Sequence, residues 1–378
     1  MSEVDNELVG TLSGASTLAG TLTIPERLTI QANKNITPTD SQQEVGPDTG
    51  YDAMAQVTVG AAPASVKSWL EGADASATVD GTTLTAKGDL ALSLPNVTSI
   101  GDNYFKYMPL KSISAPELLT IGANAFEGAT VKANTSFPKV TSVGASAFYK
   151  ADFTGFDVSF GALVTLDTAD VFASVTAKDF SFPVLTSLTK KVFNGVSANN
   201  MDLRSVTTLA GYGSNSSPLN GLTVTGKLDL RSFVGTDNTD ATSGSTAGYN
   251  VAYGTKMGSA DFSSLKYANC EDFRNTDCDE VHFPALEIAG YRSFNATKIK
   301  KLYFDKITAI KTQAFNTTFL TDLYIGSQAV PTIASSVFGT LPSGFKIHVP
   351  ASMLASYQAD SGWSAYSSYL VGDYEPEV

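Results

Sequence analysis

The chain is poor in the residues that most often carry chemistry. Two histidines and two cysteines are all that its 378 residues hold. General acid–base work near neutral pH usually falls to histidine. His282 and His348 stand in separate strand-like blocks, His282-Phe-Pro and His348-Val-Pro, about three repeats apart, which is too far for a dyad. Cys270 and Cys278 lie eight positions apart, a spacing that fits neither a CxxC redox pair nor half of a usual zinc site. Two buried, inert thiols are expected. No GxSxG elbow, P-loop, HExxH or EF-hand loop occurs, and an acidic pair such as Asp237 with Asp240 lacks the ligand count and glycine spacing of a calcium loop. Nor is there a defensible pair of carboxylates facing across a groove, as glycan hydrolysis requires. The chain reads as non-enzymatic, with no catalytic residue, metal or cofactor expected.

Charge is scarce too. Charged residues make up 16% of the chain and hydrophobic ones 43%, with Thr, Ser, Ala and Gly filling the difference, a balance that suits a β-rich protein with hydroxyl-bearing surfaces. The 25 basic residues against 37 acidic ones give a net charge of −12. A phosphate backbone or an anionic bilayer would be repelled on average, so neither nucleic acid nor membrane is an expected partner. The absence of any apolar run of ~18 residues predicts no transmembrane helix and a soluble protein. The opening Met-Ser-Glu-Val-Asp-Asn-Glu is acidic and leads into no apolar segment, the reverse of a secretory signal.

What is abundant is a repeat. An aliphatic residue, often followed by glycine, precedes an aromatic five positions on: Ile100-Gly-Asp-Asn-Tyr-Phe105, Ile121-Gly-Ala-Asn-Ala-Phe126, Val143-Gly-Ala-Ser-Ala-Phe148, Ile310-Lys-Thr-Gln-Ala-Phe315 and Ile333-Ala-Ser-Ser-Val-Phe338, with further copies ending at Phe172, Phe193, Phe273 and Phe294. Successive aromatics from Phe105 to Phe193 are 21, 22, 24 and 21 residues apart, the short end of the leucine-rich repeat range. Ahead of each aliphatic anchor stands a strand-like block, as in Ser136-Phe-Pro-Lys-Val140, Ser181-Phe-Pro-Val-Leu185 and His282-Phe-Pro-Ala-Leu286, which its proline, lacking an amide donor, terminates. One strand and one tight turn make a rung too small to bury both of its faces, so rungs must stack. The aromatics are then predicted to stack as core, and the recurring glycine to mark a turn with φ > 0.

The pattern xxIGxxAF behind a Leu/Pro strand block resembles the BspA-type leucine-rich repeats over roughly residues 90 to 345. The resemblance implies a β-rich solenoid that serves as a binding scaffold. Between Phe193 and Phe273 the pattern degenerates to remnants around Leu203, Leu228-Asp-Leu230 and Phe262, and irregular geometry is expected there. The end of the chain, from Ile347 through Trp363 to Tyr366, resembles the closing segment of such arrays and predicts a last strand followed by a capping helix.

Before about residue 63 the repeat is absent. Alternating Thr, Val and Ile between Pro-Asp and Gly clusters read there as short strands and turns. The stretch Ile36-Thr-Pro-Thr-Asp-Ser-Gln-Gln-Glu-Val45 through Gly60 resembles a module of tail-associated proteins of phages and prophages of Gram-positive bacteria. Residues 63–89 read as a short helix near Val66–Leu70 and a hairpin near 78–85. The predicted organisation is an attachment module at 1–62, an N-terminal cap at 63–89, the solenoid at 90–345 and a strand-helix cap with tail at 346–378.

One stretch escapes the period. Residues 235–254, Gly235-Thr-Asp-Asn-Thr-Asp at its start and Gly-Tyr-Asn-Val-Ala-Tyr-Gly254 at its end, form an insertion with a smaller neighbour at Gly211–Ser217. Insertions in repeat arrays fall on one face, often the binding face, and Tyr, Ser, Gly and Asn are what adaptable binding loops use. Tyr212, Tyr249 and Tyr253 are expected to stack on sugar rings, with Asp237, Asn238 and Asn250 pairing hydroxyls. The resemblances imply a phage or prophage tail protein, located in the virion, that binds a bacterial surface glycan or surface protein, joins other tail proteins through its N-terminal module and forms a homo-trimer. The competing expectation is a BspA-type adhesin at the bacterial cell surface.

Overall fold

The computed structural model describes residues 8–10, 21–23, 55–59, 78–80, 83–86, 90–93, 97–103, 105–106, 109–210, 217–235 and 252–376. The chain divides into two units, residues 1–163 with 175–178, and residues 164–174 with 179–378. The repeat region of each is a parallel β-solenoid.

The rung after Phe126 shows how the sequence builds it. Thr130–Val131, Thr135–Phe137 and Ser142–Val143 are short strands, and residues 145–150 form the turn that carries the next anchor. Val131, Phe137 and Val143 point inward while Ser136 and Ser142 face out, the period-2 alternation of a strand with one dry face. Pro138 follows immediately and ends the second strand. A rung thus carries three strands where the sequence suggested one. Two- and three-residue strands are too short to display their period, and only the neighbouring rung reveals them. Pairing is parallel and in register, Thr135 with Val158, Ser136 with Ser159 and Phe137 with Phe160, so like positions lie one above another at the strand spacing of about 4.8 Å.

The anchors stack as expected. In the first unit Phe105 and Phe126 have ring centroids 5.3 Å apart and Phe126 and Phe148 5.1 Å; in the second, Phe172–Phe193, Phe273–Phe294, Phe294–Phe315 and Phe315–Phe338 lie at 5.5, 5.1, 5.7 and 5.6 Å. All are buried. Burial of one such ring contributes about 1.5–3 kcal/mol, and the aromatic pairing about 0.5–1.5 kcal/mol more. The backbone follows the same ladder. The anchor N–H donates to the carbonyl just before the next anchor, Phe126 to Ala147 at 2.7 Å and Phe273 to Ser293 at 2.8 Å.

That ladder also locates two rungs whose anchors are not aromatic. Phe193 N–H donates to Pro218 O, Gly221 N–H to Tyr253 O and Ala252 N–H to Asp272 O, so Leu219 and Ala252 occupy the anchor position and are fully buried. Among the described residues, regular geometry therefore continues on either side of the segment's two polar stretches, where irregularity was expected. Asn200–Asp202, Thr223–Asp229 and Lys256–Asp261 pair in parallel, with Leu203, Leu228, Leu230 and Phe262 all buried. The one departure among the described residues of this segment is a register shift between Val224 and Lys227. Backbones close up there, and a Cβ on Gly258 would lie 2.1 Å from Thr225 O.

The recurring glycine has a different reason from the one expected. Gly101, Gly122 and Gly144 do not have positive φ. A Cβ on Gly122 would lie 2.6 Å from Asp102 N, and one on Gly144 2.5 Å from Ala123 N. The glycine lets one turn rest directly on the backbone of the last. The left-handed positions flank the aromatic instead, two residues before it on Asn103, Asn124, Ser146, Asp170, Glu271, Arg292, Gln313 and Ser336 and two residues after it on Gly128, Lys150, Ser174, Gly195, Asn275 and Ala296, and Asn and Asp tolerate that region better than most side chains.

At the N-terminal end Leu8–Gly10, Ala55–Val59, Thr83–Ala86 and Thr78–Asp80 form an antiparallel sheet in that order, so the hairpin is present. The helix expected at 66–70 lies outside the described residues. At the C-terminal end Lys346–Val349 leads into a helix at Leu354–Ala359, a 3-10 helix at Ser364–Tyr369 and a strand at Leu370–Gly372. Trp363 is fully buried and its indole N–H donates to Pro331 O at 2.8 Å. Tyr357 packs edge-on against it, and Tyr366 and Tyr369 pack on Phe338 and Phe345. The apolar end of the last rung is thereby covered.

Two outcomes follow for denaturation experiments. Phe294→Ala removes a ring stacked on both sides and should cost about 3–5 kcal/mol. Gly144→Ala, at ordinary φ, should lower the urea midpoint more than Asn124→Ala at φ 53°, because the first forces two backbones apart and the second strains one residue.

Candidate functional site

The outward positions of the second strand form the most ordered feature among the described residues. The residue just before the buried residue that closes each of these strands is turned to the outer face, Asp229 being itself buried there, and parallel register lines these residues up. In the second unit the column runs Ser181, Asp202, Asp229, Asp261, then His282, Tyr303, Tyr324, His348. Asp261 precedes Phe262 as His282 precedes Phe283, and those two rings stack at 5.4 Å, which joins the two halves.

The first half is a charge network. Asp202-Leu-Arg204 and Asp229-Leu-Arg231 are the same local motif, in which the guanidinium folds back on the carboxylate two residues earlier. Arg204 Nε donates to Asp202 Oδ1 at 2.8 Å and Nη2 to Oδ2 at 2.7 Å, while Arg231 Nε donates to Asp229 Oδ1 at 2.9 Å and its Nη2 to Oδ2. Lys227 Nζ donates to Asp261 Oδ2 at 3.0 Å. Burial pushes the Asp229 carboxyl up, but the Arg231 hydrogen bonds and the Lys227 charge outweigh it and hold the group below the usual carboxylate range. Asp261 is held low in the same way, with Lys227 and Ser263 opposing burial. Three aspartates on consecutive rungs tolerate one another because each is paired with a base.

The second half is an aromatic stack. Ring centroids are 3.8 Å apart for His282–Tyr303, 4.2 Å for Tyr303–Tyr324 and 4.2 Å for Tyr324–His348. The two histidines stand at its ends with two tyrosines between them, so they form no dyad. The adjacent column alternates in sign, Glu280, Lys301, Asp322, Lys346, placing an opposite charge beside each one, the favourable cross-strand arrangement. Burial and the neighbouring Tyr324 push the Tyr303 hydroxyl up to about 12, so it remains a hydrogen-bond donor at neutral pH.

Of the six site residues expected from sequence, Tyr253 lies among the described residues. It follows the anchor Ala252 inside a rung, and its hydroxyl accepts from Asn275 Nδ2 at 3.0 Å. Tyr212, Asp237, Asn238, Tyr249 and Asn250 lie outside the described residues. Sequence reading missed the column because its members, Asp, His and Tyr, share no chemistry. The signal was positional, the residue before the Phe or Leu of each second strand. Cys270 and Cys278 are both free and buried, and burial pushes the Cys270 thiol up to about 12 and the Cys278 thiol upward as well. Among the described residues no group of three His, Cys, Asp or Glu side chains gathers to hold a metal ion.

The family described as BspA type Leucine rich repeat region matches residues 98–220 and 246–357 in six copies, more than half of the chain. The chain belongs to that family. The residues this leaves out between the two matches contain the register shift at Val224/Lys227. No curated protein matches the chain. Among solved structures, the BspA-type array is similar to the pneumococcal vaccine antigen PcpA at 14% identity, with a TM-score of 0.36 over 80% of this chain and 88% of that one. It is also similar to a leucine-rich repeat protein from Bacteroides ovatus at 17% identity, with a TM-score of 0.41 over 72% of this chain and 75% of that one.

Both thiols should resist an aromatic disulfide reagent at pH 8 in the native protein and react once it is unfolded in urea. Asp229 gives an acid limb. A carboxyl held low in the folded state contributes stability at pH above its unfolded value of about 4, and this is lost as the pH falls through the folded value. Asp229→Asn should therefore lose less stability between pH 5 and pH 2 than the parent chain, by up to about 1 kcal/mol, as read from urea midpoints.

Proposed function

We propose that the chain is a non-enzymatic binding protein displayed at a bacterial surface, an adhesin whose repeat array presents one outward column to its partner. The observation that carries this is the array itself. Consecutive rungs of a BspA-type solenoid hold Asp202, Asp229, Asp261, His282, Tyr303 and Tyr324 in register on a buried aromatic ladder, so the surface is pre-organised and loses little side-chain entropy on contact. Salt-bridged guanidiniums and tyrosine hydroxyls suit a hydroxyl-rich surface, and the partner proposed is a bacterial surface glycan or surface protein. The polar insertion at 235–254, with Asp237, Asn238, Tyr249, Asn250 and Tyr253, together with Tyr212, is the proposed adaptable part of the contact.

A second reading rests on the N-terminal stretch from Ile36 to Gly60, whose resemblance is to phage tail modules. On that reading the chain is a virion protein, a homo-trimer whose N-terminal module joins other tail proteins and whose array meets the host receptor. Both readings assign the array the same work and differ in what holds it.

The test is binding of the purified full-length chain, and of a form lacking residues 235–254, to whole Gram-positive cells and to their isolated wall polysaccharides. Binding that weakens at least about tenfold without the insertion is the expected result. Binding unchanged by the deletion would leave the column of the rungs alone as the site and overturn the insertion's part, and no binding by either form would sink the receptor role.

A further inference from the structure

The aromatic half of the column is not open along its whole length. Beyond the strand Leu370–Gly372, which pairs in parallel with Lys346–Val349, the chain turns back over the outer face of the last rungs. Three of its residues meet three differently shaped partners. Asp373 Oδ1 lies 2.7 Å from His348 Nδ1. Tyr374 sets its ring edge-on to Tyr324 at 5.2 Å and tilted to Tyr303 at 6.1 Å, and its hydroxyl donates to Asp305 Oδ1 at 2.8 Å. Pro376 lies against Gly326, where an added Cβ would come within 2.7 Å of the proline Cβ. A histidine, an aromatic wall with a carboxylate behind it and a glycine notch thus receive an aspartate, a tyrosine and a proline in sequence.

The His348 contact carries a proton requirement. Its other nitrogen, Nε2, lies 3.1 Å from Asp322 Oδ1. A neutral imidazole has one donor and one acceptor nitrogen, and an ionised carboxylate only accepts. Two carboxylates on one ring are both satisfied only by the imidazolium. The groups facing the ring are Asp322 and Tyr324 from one strand and Asp373 from the tail, with Lys346 two residues before it on its own strand. Two of these are acids in direct contact.

We propose that the outer face of the last rungs is a recognition site for a short peptide of the form Asp-Tyr-x-Pro, filled in this structure by residues 373–376 of the chain itself, and that the imidazolium of His348 holds its aspartate. The tail is then a ligand carried in cis, and a segment of the same chemistry from outside competes with it.

The test uses the full-length chain carrying Asp373→Ala with Tyr374→Ala, which vacates the site, and a labelled peptide of residues 373–378 followed by fluorescence anisotropy. The vacated chain should bind the peptide at pH 6 at least about tenfold more tightly than the parent chain, whose own tail competes. Adding His348→Gln should weaken binding about tenfold, the scale of one lost charge-assisted hydrogen bond, and adding Gly326→Ala should abolish binding by filling the notch. Equal binding by vacated and parent chains, or affinity unchanged by His348→Gln, overturns the proposal. Should the vacated chain fail to melt cooperatively, amide exchange in the parent chain decides instead. Protection of residues 370–376 should drop on His348→Gln, and unchanged protection overturns the assignment.

Discussion

The repeat region of each unit depends on parallel, in-register stacking of one rung on the next. A rung of some twenty residues has no interior of its own, and its Phe, Val and Ile become dry only when the same residues of the neighbours cover them. That is why Phe126 rests on Phe148 and Phe137 on Phe160, and why the anchor amides bond across rungs rather than within them. The constraint is local and repeated, so it tolerates replacement at single rungs. Leu219 and Ala252 keep the register without an aromatic, because the backbone ladder and the strands on either side remain paired.

The same constraint writes the surface. Because register is exact at every step where side chains alternate, whatever the sequence places before the buried residue of the second strand becomes a straight column outside. Like charges on adjacent rungs would then repel at strand spacing, and the aspartates at 202, 229 and 261 are accompanied by Arg204, Lys227 and Arg231. Aromatics on adjacent rungs attract instead, and the tyrosines and histidines from 282 to 348 stack. Binding on such a scaffold is a matter of composition along one line, with the fold supplying the spacing.

Much of this was legible in the residues. The phenylalanine period gave the solenoid, the Phe-Pro blocks gave the second strand and its end, and Trp363 with the residues around it gave a covering segment. The glycine of xxIGxxAF was legible as structural, but not its reason. Sequence suggests φ > 0 for a recurring glycine, whereas the close approach of Gly144 to the backbone at Ala123 is a contact between residues of different rungs. The first and third strands were hidden because two residues cannot show a period. The rungs at Leu219 and Ala252 were hidden because their anchors look like ordinary apolar residues.

What the sequence by itself determined was the repeat and the absence of an assembled dyad, since both follow from residue identity and from spacing along the chain. What only the tertiary structure decided was which polar residues stand together. His282 and His348 are far apart in sequence yet end one stack, and Asp373 reaches His348 across the capping segment. Such neighbours are set by the register between rungs and by the path of the chain's return over the last strands, and neither is written at any one position of the sequence.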